Sequence, residues 1–295
     1  MTMFNSLTRC FTHTSEHDNV FSSILTVVSI SVTVYAFFVN IIAFIGIWLV
    51  YKKTLKRTPK LLLLLFATNL LFVFAVALLS VYHFIEEFLQ SWFFPAHLAL
   101  VLFLVLWSST NLCLVAIDRY LIVIHGTRYQ FWKKYFHALF FAEFVANIGY
   151  SVFIYFGFKF MGCKANYINL LGIVAFIAFH LVMSFVANIL LARYIRLNMS
   201  ILGRTNNMQK NVAKTVASMT IVDGTCQALL IIAMLLFICS VTMSTSLRKH
   251  GNLVLFSLTI LSLFKCGSVP LTYILRNTRV RNMLCCKSFF QSSWV

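Results

Sequence analysis

Leu61-Leu62-Leu63-Leu64-Leu65-Phe66-Ala67-Thr68-Asn69-Leu70-Leu71-Phe72-Val73-Phe74-Ala75-Val76-Ala77-Leu78-Leu79-Ser80-Val81-Tyr82 runs for 22 residues without a charged side chain. A helix that crosses a hydrocarbon core of ~30 Å needs ~20 such residues, and backbone left uncovered in lipid has no partner for its N–H and C=O groups. A run of this length therefore reads as one membrane-spanning helix. On either side lie six more long runs with few charges, at about 20–51, 93–124, 135–158, 167–191, 216–243 and 253–275. Hydrophobic residues make up 61% of the 295 positions and charged ones 11%, against ~25% charged in ordinary soluble domains. The expected fold is an all-α membrane protein, a bundle of seven transmembrane helices.

The connections are too short to hold a soluble domain of ~50 residues, so one helical bundle is expected over 1–295: an N-terminal segment 1–19, the bundle 20–275 and a tail 276–295. Within 274–290, Leu275, Val280, Met283, Leu284 and Phe290 alternate with Arg276, Arg279, Arg281 and Lys287. That mixture predicts a short amphipathic helix lying along the membrane surface.

The net charge of +17 is distributed as a topology signal and not as a nucleic-acid interface. With Met1 outside, eighteen of the 24 basic residues fall on the cytosolic side, among them Lys52, Lys53, Lys133, Lys134, Arg193 and Arg196. Only Arg9, Lys159, Lys164, Arg248 and Lys249 fall outside. This is the positive-inside asymmetry, and seven spans then leave the C-terminus in the cytosol. The basic inner face suits anionic lipid heads.

Of eight cysteines, Cys113, Cys226, Cys239 and Cys266 lie within apolar runs and read as small core residues. Cys10 and Cys163 are the two plainly outer ones, and an oxidising compartment makes them the expected disulfide, with Cys239 as a rival partner for Cys163. Cys285 and Cys286 follow the last span, where palmitoylation and unmodified thiols are equal alternatives.

Two motifs stand at span ends. Asp118-Arg119-Tyr120 closes the third run, and the stretch Val115 to Tyr129 resembles the olfactory-receptor pattern in which Ala-Tyr-Asp-Arg-Tyr-Val-Ala-Ile-Cys continues to Leu-Arg-Tyr. On bland grounds alone, Arg119 is a snorkelling arginine. At the end of the seventh run, Val269-Pro270-Leu271-Thr272-Tyr273-Ile274-Leu275-Arg276-Asn277 is similar to the Asn-Pro-x-x-Tyr-Ser-Leu-Arg-Asn signature of the same family. Leu55-Lys56-Arg57-Thr58-Pro59 and Asn40 also fit it. The chain thus resembles a divergent rhodopsin-like (class A) G-protein-coupled receptor, near the olfactory receptors. It differs from the family pattern at Val269, where the motif has asparagine, and in lacking an aspartate in the second run; Phe94 stands about where the family's outer cysteine is expected.

The resemblance implies a plasma-membrane receptor that couples to a heterotrimeric G protein through Asp118, Arg119, Tyr120, Pro270 and Tyr273. It also implies an outer ligand site between the third, fifth, sixth and seventh helices. His97, Val101, Leu102 and Val105 on the third helix and Phe176, Ile177 and His180 on the fifth are the ligand-binding candidates. With no carboxylate at Val101, small hydrophobic ligands are favoured over amines; peptide or lipid ligands are the alternative. His180, Ser184 and Asn188 recur every four residues and share a helix face, where interhelical hydrogen bonding is the plainer reading for the last two.

Other classes fit less well. A transporter or channel calls for several intramembrane ionisable groups, and only Glu143, Asp223 and Lys265 lie deep in the runs. An opsin needs its lysine seven residues before the proline of the seventh span, where Leu263 stands; Lys265 is ~200° further round the helix. No metal-ligand pair or nucleophile–base grouping appears, so no enzyme, metal or cofactor is expected. Asp223 and Lys265 lie at matching depths, ~13 to 15 Å above the inner ends of their spans at 1.5 Å per residue. Since a lone charge in lipid costs ~3 kcal/mol or more, an ion pair between them is expected. The alternatives are that each meets water or a backbone carbonyl, or that Asp223 is protonated.

Overall fold

Long uncharged runs satisfy their backbone groups internally by coiling, and in the computed structural model each run is one helix. The structure describes residues 19–52, 57–83, 93–125, 129–160, 163–197, 206–243 and 251–284. The helices are α1 (Asn19–Tyr51), α2 (Arg57–His83), α3 (Phe93–His125), α4 (Tyr129–Phe160), α5 (Cys163–Leu197), α6 (Asn206–Met243), α7 (Gly251–Arg276) and α8 (Thr278–Leu284). The first seven are long and apolar enough to cross a membrane. The chain is a multi-pass membrane protein with an all-helical bundle.

Several helices outrun the apolar stretches. The 38-residue α6 starts at Asn206, ten residues before the run at 216, because Asn206 to Thr215 contains neither proline nor glycine to stop it. At the other end of the chain, residues 274–276 belong to α7, so the separate terminal helix starts at Thr278 and not at 274. Described to Leu284, it has seven residues, with Val280 buried.

α1 packs against α2, α7 and α8; α6 packs against α5 and α7, and α7 against α1, closing the ring. α3 is the central strut, touching α2, α4, α5 and α6. α4 leans on α3 and more lightly on α5, and exposes Phe141, Val145, Ile148, Val152 and Phe153. Such a face is what a helix at a lipid boundary carries.

The apolar interior is divided along the bundle axis. At the end bearing α8, one cluster draws on all eight helices, including Ile47, Phe66, Val115, Phe136, Met219, Tyr273 and Val280. At the other end the core splits in two. Ala36, Phe72, Val76, Leu104 and Leu263 form one part, and Leu106, Ile154, Ile177, Leu230 and Met234 the other.

Candidate functional site

Between these apolar clusters lies a polar layer built on four consecutive α3 residues, Ser108-Ser109-Thr110-Asn111. Successive side chains of a helix point ~100° apart, so a polar run on a central helix addresses several neighbours. Ser108 Oγ donates to Asn69 Oδ1 of α2 at 2.7 Å. Asn147 of α4 donates to Thr110 Oγ1 at 3.3 Å. Asn111 Nδ2 lies 3.5 Å from Thr68 Oγ1 of α2. Ser109 faces α6 and α7. Away from α3, Asn188 of α5 donates to Thr220 Oγ1 of α6 at 3.0 Å. Interhelical bonds of this kind hold membrane bundles together, each by ~0.6 kcal/mol on average.

The charged part of the layer sits where α3, α6 and α7 meet. Lys265 Nζ is 3.3 Å from Asp223 Oδ1 and donates to Ser109 Oγ at 2.8 Å. Gln227, one turn from Asp223 on α6, donates to Asp223 Oδ2 at 2.6 Å and to Ser109 Oγ at 3.1 Å. Asp223 is 4% exposed and Lys265 5%. Neither charge could remain so deeply buried alone. Leu263 turns instead into the cluster shared with α1 and α2, so two α7 residues two positions apart serve different interfaces.

A second pair, buried His180 and partly exposed Glu143, joins α4 to α5. His180 Nδ1 lies 2.9 Å from the Phe176 carbonyl, which can only accept, so that nitrogen carries its proton. Nε2 lies 3.2 Å from Glu143 Oε2.

The two motifs meet at the α8 end. Asp118 is fully buried, Arg119 and Tyr120 are half-buried, and Tyr120 packs on the cluster that contains Tyr273. Tyr273 crosses Phe66 edge to face at 5.7 Å, and Asn277 donates to its hydroxyl at 2.7 Å. The Asn277 side-chain oxygen accepts from the backbone of Arg279 at 3.2 Å and of Val280 at 3.3 Å. Asn277 thereby caps α8 as an N-cap asparagine does. Val269 is buried in the same apolar cluster.

The ligand-binding candidates do not converge. Val101 and Val105 pack toward α1, α2 and α7; Leu102, Phe176 and Ile177 pack with α4, α6 and α7. His97 is buried and its Nε2 lies 2.8 Å from the Ala75 carbonyl of α2. Cys10, Cys285 and Cys286 lie outside the described residues, as does the side chain of Cys163, so the expected disulfide and the choice between palmitoylation and free thiols fall there too. Cys113, Cys226 and Cys266 are free and buried.

The residues that reading the sequence missed are Ser108 to Asn111 and Gln227. The available signal was compositional: four small polar side chains in succession within an uncharged run need partners, and on a helix they find them in several directions. No protein-family model and no curated protein matches the chain.

Proposed function

We propose that the chain is a ligand-activated G-protein-coupled receptor of the plasma membrane, chemosensory in type, with its N-terminus outside and its C-terminus in the cytosol. Its ligand is a small hydrophobic molecule taken in the half of the bundle away from α8. The supporting observation is that Asp118-Arg119-Tyr120 and Pro270 to Asn277, far apart in the chain, come together at one end. There Tyr120 and Tyr273 share an apolar cluster with α6, through Val216 and Met219.

In this reading the α8 end is the G-protein face, and Arg119 contacts the G protein when α6 moves outward. A ligand drives that motion only by binding the open state more tightly than the closed one. The polar layer lies between the two sites and couples them, which makes the response allosteric. A second-messenger assay in cells, run over an odorant panel, tests the proposal. Arg119→Ala is expected to abolish the response at unchanged surface level; agonist responses preserved in that variant would overturn it.

A further inference from the structure

Where α3, α6 and α7 meet, every side-chain donor but one is directed to a partner. Ser109 Oγ donates to the Val105 carbonyl at 3.1 Å and accepts from Lys265 and Gln227, which occupies its one proton and two lone pairs. Both Asp223 oxygens are engaged, one by Lys265 and one by Gln227. The two amide protons of Gln227 go to Ser109 and Asp223.

One donor and one wholly unpartnered oxygen stand out. An ammonium has three donors, and Lys265 directs two, to Asp223 and Ser109. Gln227 Oε1 is buried and has no hydrogen-bond partner among the described residues. Gln227 as a whole is 1% exposed, and an unpaired carbonyl in such a place is costly. Lys265 and Gln227 are tied to the same hydroxyl and the same carboxylate, which makes them neighbours in the bundle.

The chemistry of those two groups selects what can sit there. A hydroxyl answers both, its proton going to Gln227 Oε1 and its oxygen accepting from Lys265. An aldehyde or ketone only accepts and leaves Gln227 unpaired. A carboxylate only accepts and adds a second negative charge beside Asp223, and an amine brings a positive charge against Lys265. Ser109 lies one turn along α3 from Val105, and the two apolar clusters away from α8 begin at that level, with Leu106 in one and Cys266 in the other. An alkyl chain attached to the hydroxyl would run among those side chains.

We propose that Lys265 and Gln227 form a binding site for one hydroxyl group, supplied either by a medium-chain aliphatic alcohol or by a buried water. The alcohol arm deepens the receptor reading by naming its ligand class; the hydroxyl site itself stands without that reading.

The test uses the full chain purified into lipid nanodiscs, with 1-octanol, octanal, octanoate and octane as probes. Thermal unfolding is measured for the wild type and Gln227→Leu, alongside infrared spectra of internal O–H stretches in ordinary and ¹⁸O water. If an alcohol supplies the hydroxyl, octanol raises the wild-type midpoint by roughly 2 °C or more over octanal and octane, and the difference vanishes in Gln227→Leu. If water supplies it, the probes do not differ, and the wild type shows an ¹⁸O-sensitive internal band that the variant lacks. Probes without discrimination together with no such band overturn the site. Should Gln227→Leu fail to fold, Gln227→Met replaces it; should both fail, the wild-type probe ranking and band decide alone. The readout contains no signalling step, so failure here leaves the Arg119 test standing, and the reverse holds equally.

Discussion

Asn40 of α1 donates from Nδ2 to the Cys266 carbonyl of α7 at 2.8 Å, and Cys266 is the residue four before Pro270. Proline has no N–H, so a proline inside a helix deprives the carbonyl four residues back of its usual donor. Pro270 lies within α7, and Asn40 supplies the missing proton from a neighbouring helix. Its second amide proton goes to the Ala36 carbonyl of its own helix at 2.8 Å. The first helix thus compensates a break in the seventh.

That relationship predicts a dependence of one residue on the other. Asn40→Ala is expected to cost ~0.5–1.5 kcal/mol in equilibrium unfolding, within the range of intramembrane hydrogen bonds. In a Pro270→Ala background the restored N–H reaches the Cys266 carbonyl, and the cost of Asn40→Ala should fall by at least half. An undiminished cost in that background would show that Asn40 acts elsewhere.

The Asp223–Lys265 pair ties α6 to α7. Replacing either partner by alanine strands a buried charge, at ~3–5 kcal/mol, and is expected to destabilise the bundle; on the receptor reading proposed above it raises ligand-independent signalling or abolishes surface expression. The exchange Asp223→Lys with Lys265→Asp should recover part of what each single change loses. A double variant no better than the worse single one would mean that the two charges contribute separately.

Close approach of α1 and α7 depends on Gly267, where an added Cβ would overlap the Tyr35 ring. Gly267→Ala is expected to destabilise the bundle by ~1–3 kcal/mol, the usual cost of overpacking. Combined with Tyr35→Ala the same change should turn stabilising, by up to ~1 kcal/mol, because alanine is the better helix former. Thermal unfolding of the four variants in a cycle measures both signs.

The proposed orientation rests on the basic residues gathered on one set of loops. A tag at Met1 should react with antibody on intact cells, and a tag after Val295 only after permeabilisation. Labelling of the C-terminal tag on intact cells would reverse the proposed topology.

Seven helices and their approximate limits were legible in the sequence, because crossing a bilayer constrains each run by itself: ~20 apolar residues suffice, whatever the neighbours are. Boundaries were less legible. The polar turns at Asn206 to Thr215 continue α6 beyond the apolar run, since helix propensity and not hydrophobicity decides where a helix stops. The meeting of Asp223 with Lys265 could be argued from depth and the cost of isolated charge.

Direction around each helix was another matter. Whether His97 turns to water, ligand or the Ala75 carbonyl, and whether Val101 and Leu102 face one cavity or two apolar clusters, depends on where α2, α4 and α7 stand around α3. So does the work of Ser108 to Asn111, which reads along the chain as a weakly polar patch and becomes in the bundle the hub of its hydrogen bonds. The sequence by itself determined which segments must be helices, since that is a local balance between backbone and lipid. Only the tertiary structure decided which faces meet, since a side chain finds its partner through packing between helices that the chain order leaves open.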